Sequence, residues 1–227
     1  MVSNGLSRGR VLEAGVALAD EQGLAAVTMR GVAARLGVEA MSLYHHLPGK
    51  KDELLDGLVD VVAAQIHAGL ADRPDGDDWR FDVRSRCLVA RDVVLGHPWL
   101  PGLLGSRAQI RPGIYQLYDG VLGAMVRGGC TYRLAHRAMH ALGSMVLGFT
   151  PELFSPEAGD EDASADALEA MARTLPHITA MVAAELHDPA DPTLGWCDSQ
   201  TEFEFTLDLL LDGLERQRLA EDASLRP

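Results

Sequence analysis

The chain has 227 residues, 47% hydrophobic and 23% charged, which is enough to bury a sizeable core in one large or two small domains. Aromatic residues make up only 5%, which argues against a β-sandwich of aromatic and β-branched strands and in favour of helices. The formal charge of −13 is hostile to nucleic acid as a whole, yet residues 1–51 carry six basic and four acidic side chains, a net +2 on an otherwise acidic chain.

Ser7 is placed to cap a first helix, with Leu6 and Val11 spaced as a hydrophobic staple. Val11, Leu12, Gly15, Val16 and Ala19 then recur at helical period, and Gly23 supplies a left-handed stop. Thr28 and the Val27–Val32 pair repeat the device for a short second helix that ends at Leu36 before Gly37. Glu39 to His46 reads as a third helix, closed by Leu47-Pro48-Gly49. From Lys51, the positions Leu54, Leu55, Leu58, Val62, Ile66 and Leu70 form an amphipathic stripe that ends in the polar segment 72–78. Trp79, Val83, Cys87, Ala90 and Val94 mark the next helix, interrupted by His97-Pro98-Trp99-Leu100-Pro101. Two antiparallel helices follow, 112–127 and 131–149, joined at Gly128-Gly129. Residues 150–165 read as a mobile acidic loop, followed by a helical stretch to about Leu186, a second loop with Pro189, Pro192 and Gly195, and a last helix at 199–219. Neither an internal repeat nor strand-length alternation is present, so the fold class is all-α.

The longest stretch without Asp, Glu, Lys or Arg, Ala138 to Pro151, has 14 residues. A spanning helix needs ~20. The first ten residues also lack the apolar segment of a secretion signal, so a cytoplasmic protein with no membrane partner is expected. Cys87, Cys130 and Cys197 lie 43 and 67 residues apart, which suits packed thiols better than a disulfide framework or a zinc cluster.

The most informative stretch is Thr28 to Lys51, TMRGVAARLGVEAMSLYHHLPGKK. A two-turn helix, a tight turn at Gly37 and a second short helix is the arrangement of a helix-turn-helix, whose second helix enters a major groove ~12 Å wide. With Leu43 and Leu47 facing inward, Ala40, Met41, Ser42, Tyr44, His45 and His46 are left toward solvent or DNA. Ser42, Tyr44, His45 and His46 can hydrogen-bond phosphates or base edges, and Ala40 or Met41 can touch a thymine methyl. Spacing alone leaves open a helix-turn-helix used only for packing.

LGVEAMSLYHHLPGKKDELL resembles the recognition-helix signature of TetR-type repressors: Leu-Gly-Val, Leu43-Tyr44, His46, a Gly-Lys turn and a Leu-Leu opening the next helix. The similarity covers residues 8–70 closely. More loosely, Trp79, the LGSR of Leu104 to Arg107 and the segment Leu211 to Gln217 resemble the tetracycline-repressor branch. The resemblance implies a helix-turn-helix domain over residues 1–50 and a helical ligand-binding and dimerisation domain over 51–227. It places Arg30 near the groove, Ala40, Met41 and Ser42 at the base-reading start of the third helix, and Tyr44, His46 and Lys50 or Lys51 on phosphates. Thr28 and His45 complete the DNA-facing set. Ala40 departs from the tetracycline branch, where that position carries a hydrogen-bonding side chain, so a different operator is implied. In that branch two histidines flank the drug and its metal ion. Here His67 falls at the first position and Leu103 at the second, so a metal-chelated tetracycline is not expected.

Trp99, Tyr115, Tyr118, Met125, Met139, Met145 and Phe149 are the side chains suited to an adaptable apolar pocket, with His67, Leu103, Ser106 and Arg107 placed nearby by the resemblance. His136 and His140 share a helix face, but no third ligand is spaced to complete a metal site, and no cofactor is expected. The chain lacks GxSxG, P-loop, HExxH and GxGxxG motifs. The expectation is a ligand-responsive repressor, not an enzyme, that binds double-stranded pseudo-palindromic operator DNA as a homodimer and is released by a small apolar inducer. An all-α small-molecule enzyme and a metal-responsive DNA-binding sensor are the competing readings.

Overall fold

Caps and breakers set the first three helices of the computed structural model, which describes residues 5–71, 73, 76, 78–148, 172–184 and 199–225. Helix α1 (Arg8–Gln22) opens at Ser7, whose hydroxyl accepts the Arg10 amide at 3.3 Å. It closes at Gly23 with φ 78° and ψ 165°, an extended mirror-image conformation rather than the left-handed helical cap the sequence suggests. A 3-10 turn over Leu24–Ala26 follows. In α2 (Met29–Leu36) the Thr28 hydroxyl accepts the Gly31 amide at 2.9 Å. Gly37, at φ 68° and ψ 32°, ends this helix: its N–H donates to Ala34 and that of Val38 to Ala33, the paired bonds of a Schellman stop.

Helix α3 (Ala40–Leu43) is shorter than the 39–46 expected, because Glu39 provides no side-chain cap and the backbone tightens after Leu43. The amides of His46 and Leu47 both donate to the Leu43 carbonyl at 2.9 Å, carrying the chain into Pro48 as turns.

The remaining helices are α4 (Lys50–Ala71), α5 (Trp79–Leu95), α6 (Leu100–Ser106), α7 (Pro112–Arg127), α8 (Tyr132–Gly148), α9 (Pro176–Ala184) and α10 (Ser199–Leu225). The sequence reading omits α6, since Pro101, Gly102 and Gly105 argue against a helix. Pro101 falls in the first turn, where a missing N–H breaks no bond, and burial of Leu100 and Leu103 outweighs the poor propensity. The last helix runs to Leu225 rather than 219.

Helix α4 is central, packing against α1, α5, α6 and α7 through the buried Leu54, Leu58, Val59, Val62, Ala63 and Ile66. Its 22 residues contain an 18-residue window of mean hydropathy 1.4, so by length and composition it is the one described helix able to span a bilayer. Asp56 and Asp60 divide it into uncharged runs too short to stand out in the sequence. Its apolar face is already spent on the bundle. Gly57 lets α1 come close: a Cβ there would lie 2.4 Å from a Leu12 methyl carbon. Helices α1–α3 and α4 consequently share one core, with Val11, Leu43, Leu47, Leu54 and Leu58 all at 0% exposure.

Two compact units are formed. One contains residues 1–150 with 207–227, and the α3 segment and both body cavities lie in it; the other comprises residues 151–206 and contains α9 and the first turns of α10, with Phe203 and Phe205. The expected acidic loop at 150–165, Phe149 and Cys197 lie outside the described residues.

Candidate nucleic-acid interface and ligand cavity

Burial of Leu43 and Leu47 orients the α3 segment. Met41 is 72% exposed, His45 is exposed, and Ala40, Ser42, Tyr44 and His46 are half-buried around them. Arg30 is exposed on α2, and exposed Thr28 uses its oxygen as the helix cap while keeping an O–H to donate. Lys50 and Lys51 open α4. Lys50 holds φ 58°, a left-handed value that costs a β-carbon-bearing residue ~1–2 kcal/mol. The turn before it is braced by Glu53, whose carboxylate accepts the Gly49 amide at 2.8 Å.

Arg35 is taken up by Glu21 through two bonds of 2.6 Å, and the hydrogen bond from Arg35 holds the Glu21 carboxyl below its usual range. Arg8 pairs with Glu53 at 3.5 Å. Among the described residues Arg30, Lys50 and Lys51 form no ion pair, so their charge is available to a polyanion.

The bundle of α4 to α8 encloses an apolar cavity of about 100 Å³, walled by Ile66, Val94, Leu104, Leu117, Val121 and Leu142, with Arg86, Cys87 and Tyr118 as its polar residues. Burial pushes the Cys87 thiol up to about 12. A wider hollow of about 720 Å³ lies against α7 and α8, lined by Tyr115, Gln116, Asp119, His140 and Ser144 among others. Tyr118, Met139, Gly143 and Leu147 face both spaces.

Of the side chains nominated from the sequence for ligand binding, Tyr118 and Met139 line both spaces and Tyr115 lines the outer one. The others are placed elsewhere. Met125, Leu103 and Met145 are buried in the core away from either wall. Half-buried His67 donates from Nε2 to the Gly113 carbonyl at 3.1 Å, fixing α4 against α7. Exposed Ser106 donates to the Leu103 carbonyl at 2.7 Å. Arg107 turns to the acidic edge of α4, 2.8 Å from Asp56, beside the doubly bonded Arg111–Asp60 pair. Composition picks out adaptable side chains but not the helix face on which each lands; the inner wall is mostly aliphatic.

Trp99 belongs to a polar cluster that sequence reasoning does not foresee. His97 Nδ1 donates to Asp20 Oδ1 at 2.8 Å, and the Trp99 indole N–H donates to the same oxygen at 2.6 Å. His97 Nε2 lies 2.7 Å from the Gln65 side-chain amide. His97 and Trp99 are each 8% exposed. The cluster ties α1 and α4 to the connector between α5 and α6. Both ends of that connector reach the cavity wall, Val94 on one side and Leu100 on the other. A His-Pro-Trp break with an acid at the end of an amphipathic first helix is the only trace of it in the sequence.

His136 and His140 meet edge to face with their Nε2 atoms 3.1 Å apart, exposed on α8. Among the described residues no three His, Cys, Asp or Glu side chains are grouped to hold a metal ion.

On α8 and α10 the strongest apolar positions face inward: Leu134, Ala138, Leu142, Met145, Phe203 and Leu207 are buried within the single chain. Helical periodicity selects the strongest apolar stripe, which serves the chain's own core. Leu210 and Leu214 are half-buried, whereas Tyr132, Phe205, Leu209 and Leu219 are 75%, 61%, 55% and 51% exposed. Arg80 and Arg84 of α5 hold Asp212 and Asp208 of α10, and Thr131 donates to Glu221 at 2.7 Å.

Two family models match the chain: "Bacterial regulatory proteins, tetR family" over residues 11–58 and "Tetracyclin repressor-like, C-terminal domain" over residues 72–218. The chain is 32% identical to the HTH-type transcriptional repressor DrrR1 of Streptomyces coeruleorubidus, covering 96% of this chain and 82% of that one. It is 29% identical to the class C tetracycline repressor protein of Escherichia coli, over 95% and 94% of the two chains. Among solved structures, the TetR family protein ActR of Streptomyces coelicolor in complex with actinorhodin superposes with a TM-score of 0.68 at 25% identity, over 94% of this chain and 99% of that one.

Proposed function

The chain belongs to the TetR family of DNA-binding transcriptional regulators, and on that premise we propose that it is a homodimeric repressor released from its operator by a small, largely apolar organic inducer. The observation that carries this reading is the coexistence, in one compact unit, of an exposed α3 reading surface and a cavity whose wall flanks the Asp20–His97–Trp99 cluster.

Residues 1–50 act as the head and 51–227 as the body. In the head, Met41 and Ala40 contact thymine methyls, Ser42 and His45 meet base edges, and Tyr44, His46, Thr28, Arg30, Lys50 and Lys51 hold phosphates. Two copies present their α3 segments ~34–36 Å apart to adjacent major grooves of a pseudo-palindrome. Phe205, Leu209 and Leu219, exposed on α10, supply apolar surface to the second copy.

A ligand that fills the cavity displaces Val94, Leu100 or Leu104. The displacement passes through the connector to Asp20 on α1 and alters the separation of the two α3 segments. A hundredfold preference of the ligand for the released state supplies ~2.7 kcal/mol, enough to relieve repression. The family's regulatory role and the actinorhodin complex of ActR support a ligand-responsive rather than a catalytic reading.

The test is selection of a duplex from a random pool by the purified chain, followed by retention assays on the enriched sequence. Tight, salt-sensitive binding that weakens in Tyr44→Ala and in the Lys50→Ala, Lys51→Ala pair is the expected result. No enrichment from the pool refutes the assignment of the head.

A further inference from the structure

The two spaces in the body differ in size and chemistry, and together they constrain what fills them. The inner one, about 100 Å³, is smaller than the apolar cavity of ~150 Å³ that holds a single benzene. Drug-sized ligands occupy ~300–1,000 Å³. The inner space therefore takes no more than a short alkyl arm, and the bulk of a ligand must sit in the outer hollow of about 720 Å³. The two spaces adjoin at Tyr118, Met139, Gly143 and Leu147, the four residues common to both linings.

The outer hollow is the polar part. Gln116, Ser144 and His140 offer donors and acceptors, and Asp119 adds an exposed carboxylate; no lysine or arginine is among the described residues lining it. A carboxylate in the outer hollow would meet like charge at Asp119, because the one lysine or arginine among the described lining residues, Arg86, stands on the inner wall and is already engaged within the chain, whereas a hydroxyl or an ammonium group is received favourably. Gly143 stands where the two linings meet. A Cβ at this position would stand 3.8 Å from Tyr118 Cε1 and 4.0 Å from its hydroxyl, ordinary contact, so alanine fits and a longer side chain enters that junction.

We propose that the ligand straddles both compartments across Gly143, with an apolar arm inside and a fused-ring body outside bearing a neutral or cationic hydrogen-bonding group toward Gln116, Asp119 and His140, and that anionic ligands are rejected. This rests on the reading of the chain as a ligand-responsive regulator.

Three matched fluorescent probes test it on the full chain: 9-anthracenemethanol, 9-(aminomethyl)anthracene and 9-anthracenecarboxylate, each titrated by anisotropy. The alcohol and the amine should bind at least tenfold more tightly than the carboxylate, and Asp119→Asn should narrow that gap. Gly143→Leu should weaken the alcohol and the amine at least tenfold while keeping wild-type DNA retention and a cooperative melt, and Gly143→Ala should bind like wild type. Equal binding of all three probes, binding of none, or wild-type affinity in Gly143→Leu would overturn the proposal. DNA retention is scored separately. Selective, Gly143-dependent binding without any release of DNA leaves the straddling site standing and refutes the ligand-released repressor, while binding that ignores the charge of the probe's polar group alongside DNA release does the reverse.

Discussion

Replacing Asp20 by alanine removes a single oxygen that accepts from both His97 and Trp99, at 2.8 and 2.6 Å. Each donor is on a residue only 8% exposed, and a buried donor left without a partner costs ~1–3 kcal/mol. The Asp20 side chain is 30% exposed, so water enters part of the gap and the lower end of the range applies. The expected loss is about 2 kcal/mol of unfolding free energy. Asp20→Asn, which keeps an acceptor oxygen, should lose about half as much. Urea unfolding followed by circular dichroism measures both, with an unchanged m-value certifying that only stability has moved. A double-mutant cycle with Trp99→Phe isolates the link between α1 and the connector, and should return a coupling of about 1 kcal/mol. Asp20→Ala within about 0.5 kcal/mol of wild type, the scatter of neutral surface substitutions, would refute the cluster as a tie between head and body.

Lys50→Gly relieves the strained φ of 58° while deleting a cation, so the melting temperature should hold or rise even as operator affinity falls, and a drop in both would show that Lys50 is structural. Leu209→Glu, at a position 55% exposed, should dissociate the dimer in sedimentation without lowering helicity, whereas Leu207→Glu, at 0% exposure, should unfold the chain; an unchanged dimer in Leu209→Glu removes that face from the interface. Burial lifts the Cys87 thiol to about 12, above the ~8.5 of an unfolded cysteine, so the folded state keeps a proton that the unfolded state gives up. Stability is unaffected below that lower value and should decline by about 1 kcal/mol per pH unit above it, a slope that Cys87→Ala should reduce and whose persistence in that variant would exclude this thiol as its source. Cys130, lifted to about 11 by burial against a partial opposing pull from Arg218, should label slowly with iodoacetamide at neutral pH; rapid labelling at Cys130 itself, located by peptide mapping, would contradict its burial.

How much of this was legible in the sequence depended on whether the signal was local. Ser7, Thr28 and Gly37 announce their caps because each acts on backbone groups three or four residues away, and the structure uses all three as stops or starts. The α3 segment was legible for the same reason, its Leu43 and Leu47 turning Met41 outward. Where tertiary burial overrides propensity the reading failed, as in α6, whose Pro and Gly residues conceal two buried leucines. Long-range partners were invisible as well. Nothing near Trp99 reveals that its N–H is spoken for by an aspartate on α1, and nothing near Arg107 reveals the α4 carboxylate that turns it from the cavity. The apolar stripes of α8 and α10 show a related limit: periodicity says that a face is buried, but not whether its own chain or a second copy buries it.

The central claim is that one chain couples a body ligand to its grip on DNA, and hydroxyl-radical footprinting of the selected duplex tests it most directly. With the chain alone, two protected patches should appear on one face of the duplex with centres about one helical turn, ~34–36 Å, apart. Both should fade together as 9-anthracenemethanol is added, and both should persist with Gly143→Leu at the same probe concentration. Patches that remain at saturating probe in the wild-type chain, with binding verified by anisotropy in the same tube, would contradict the account.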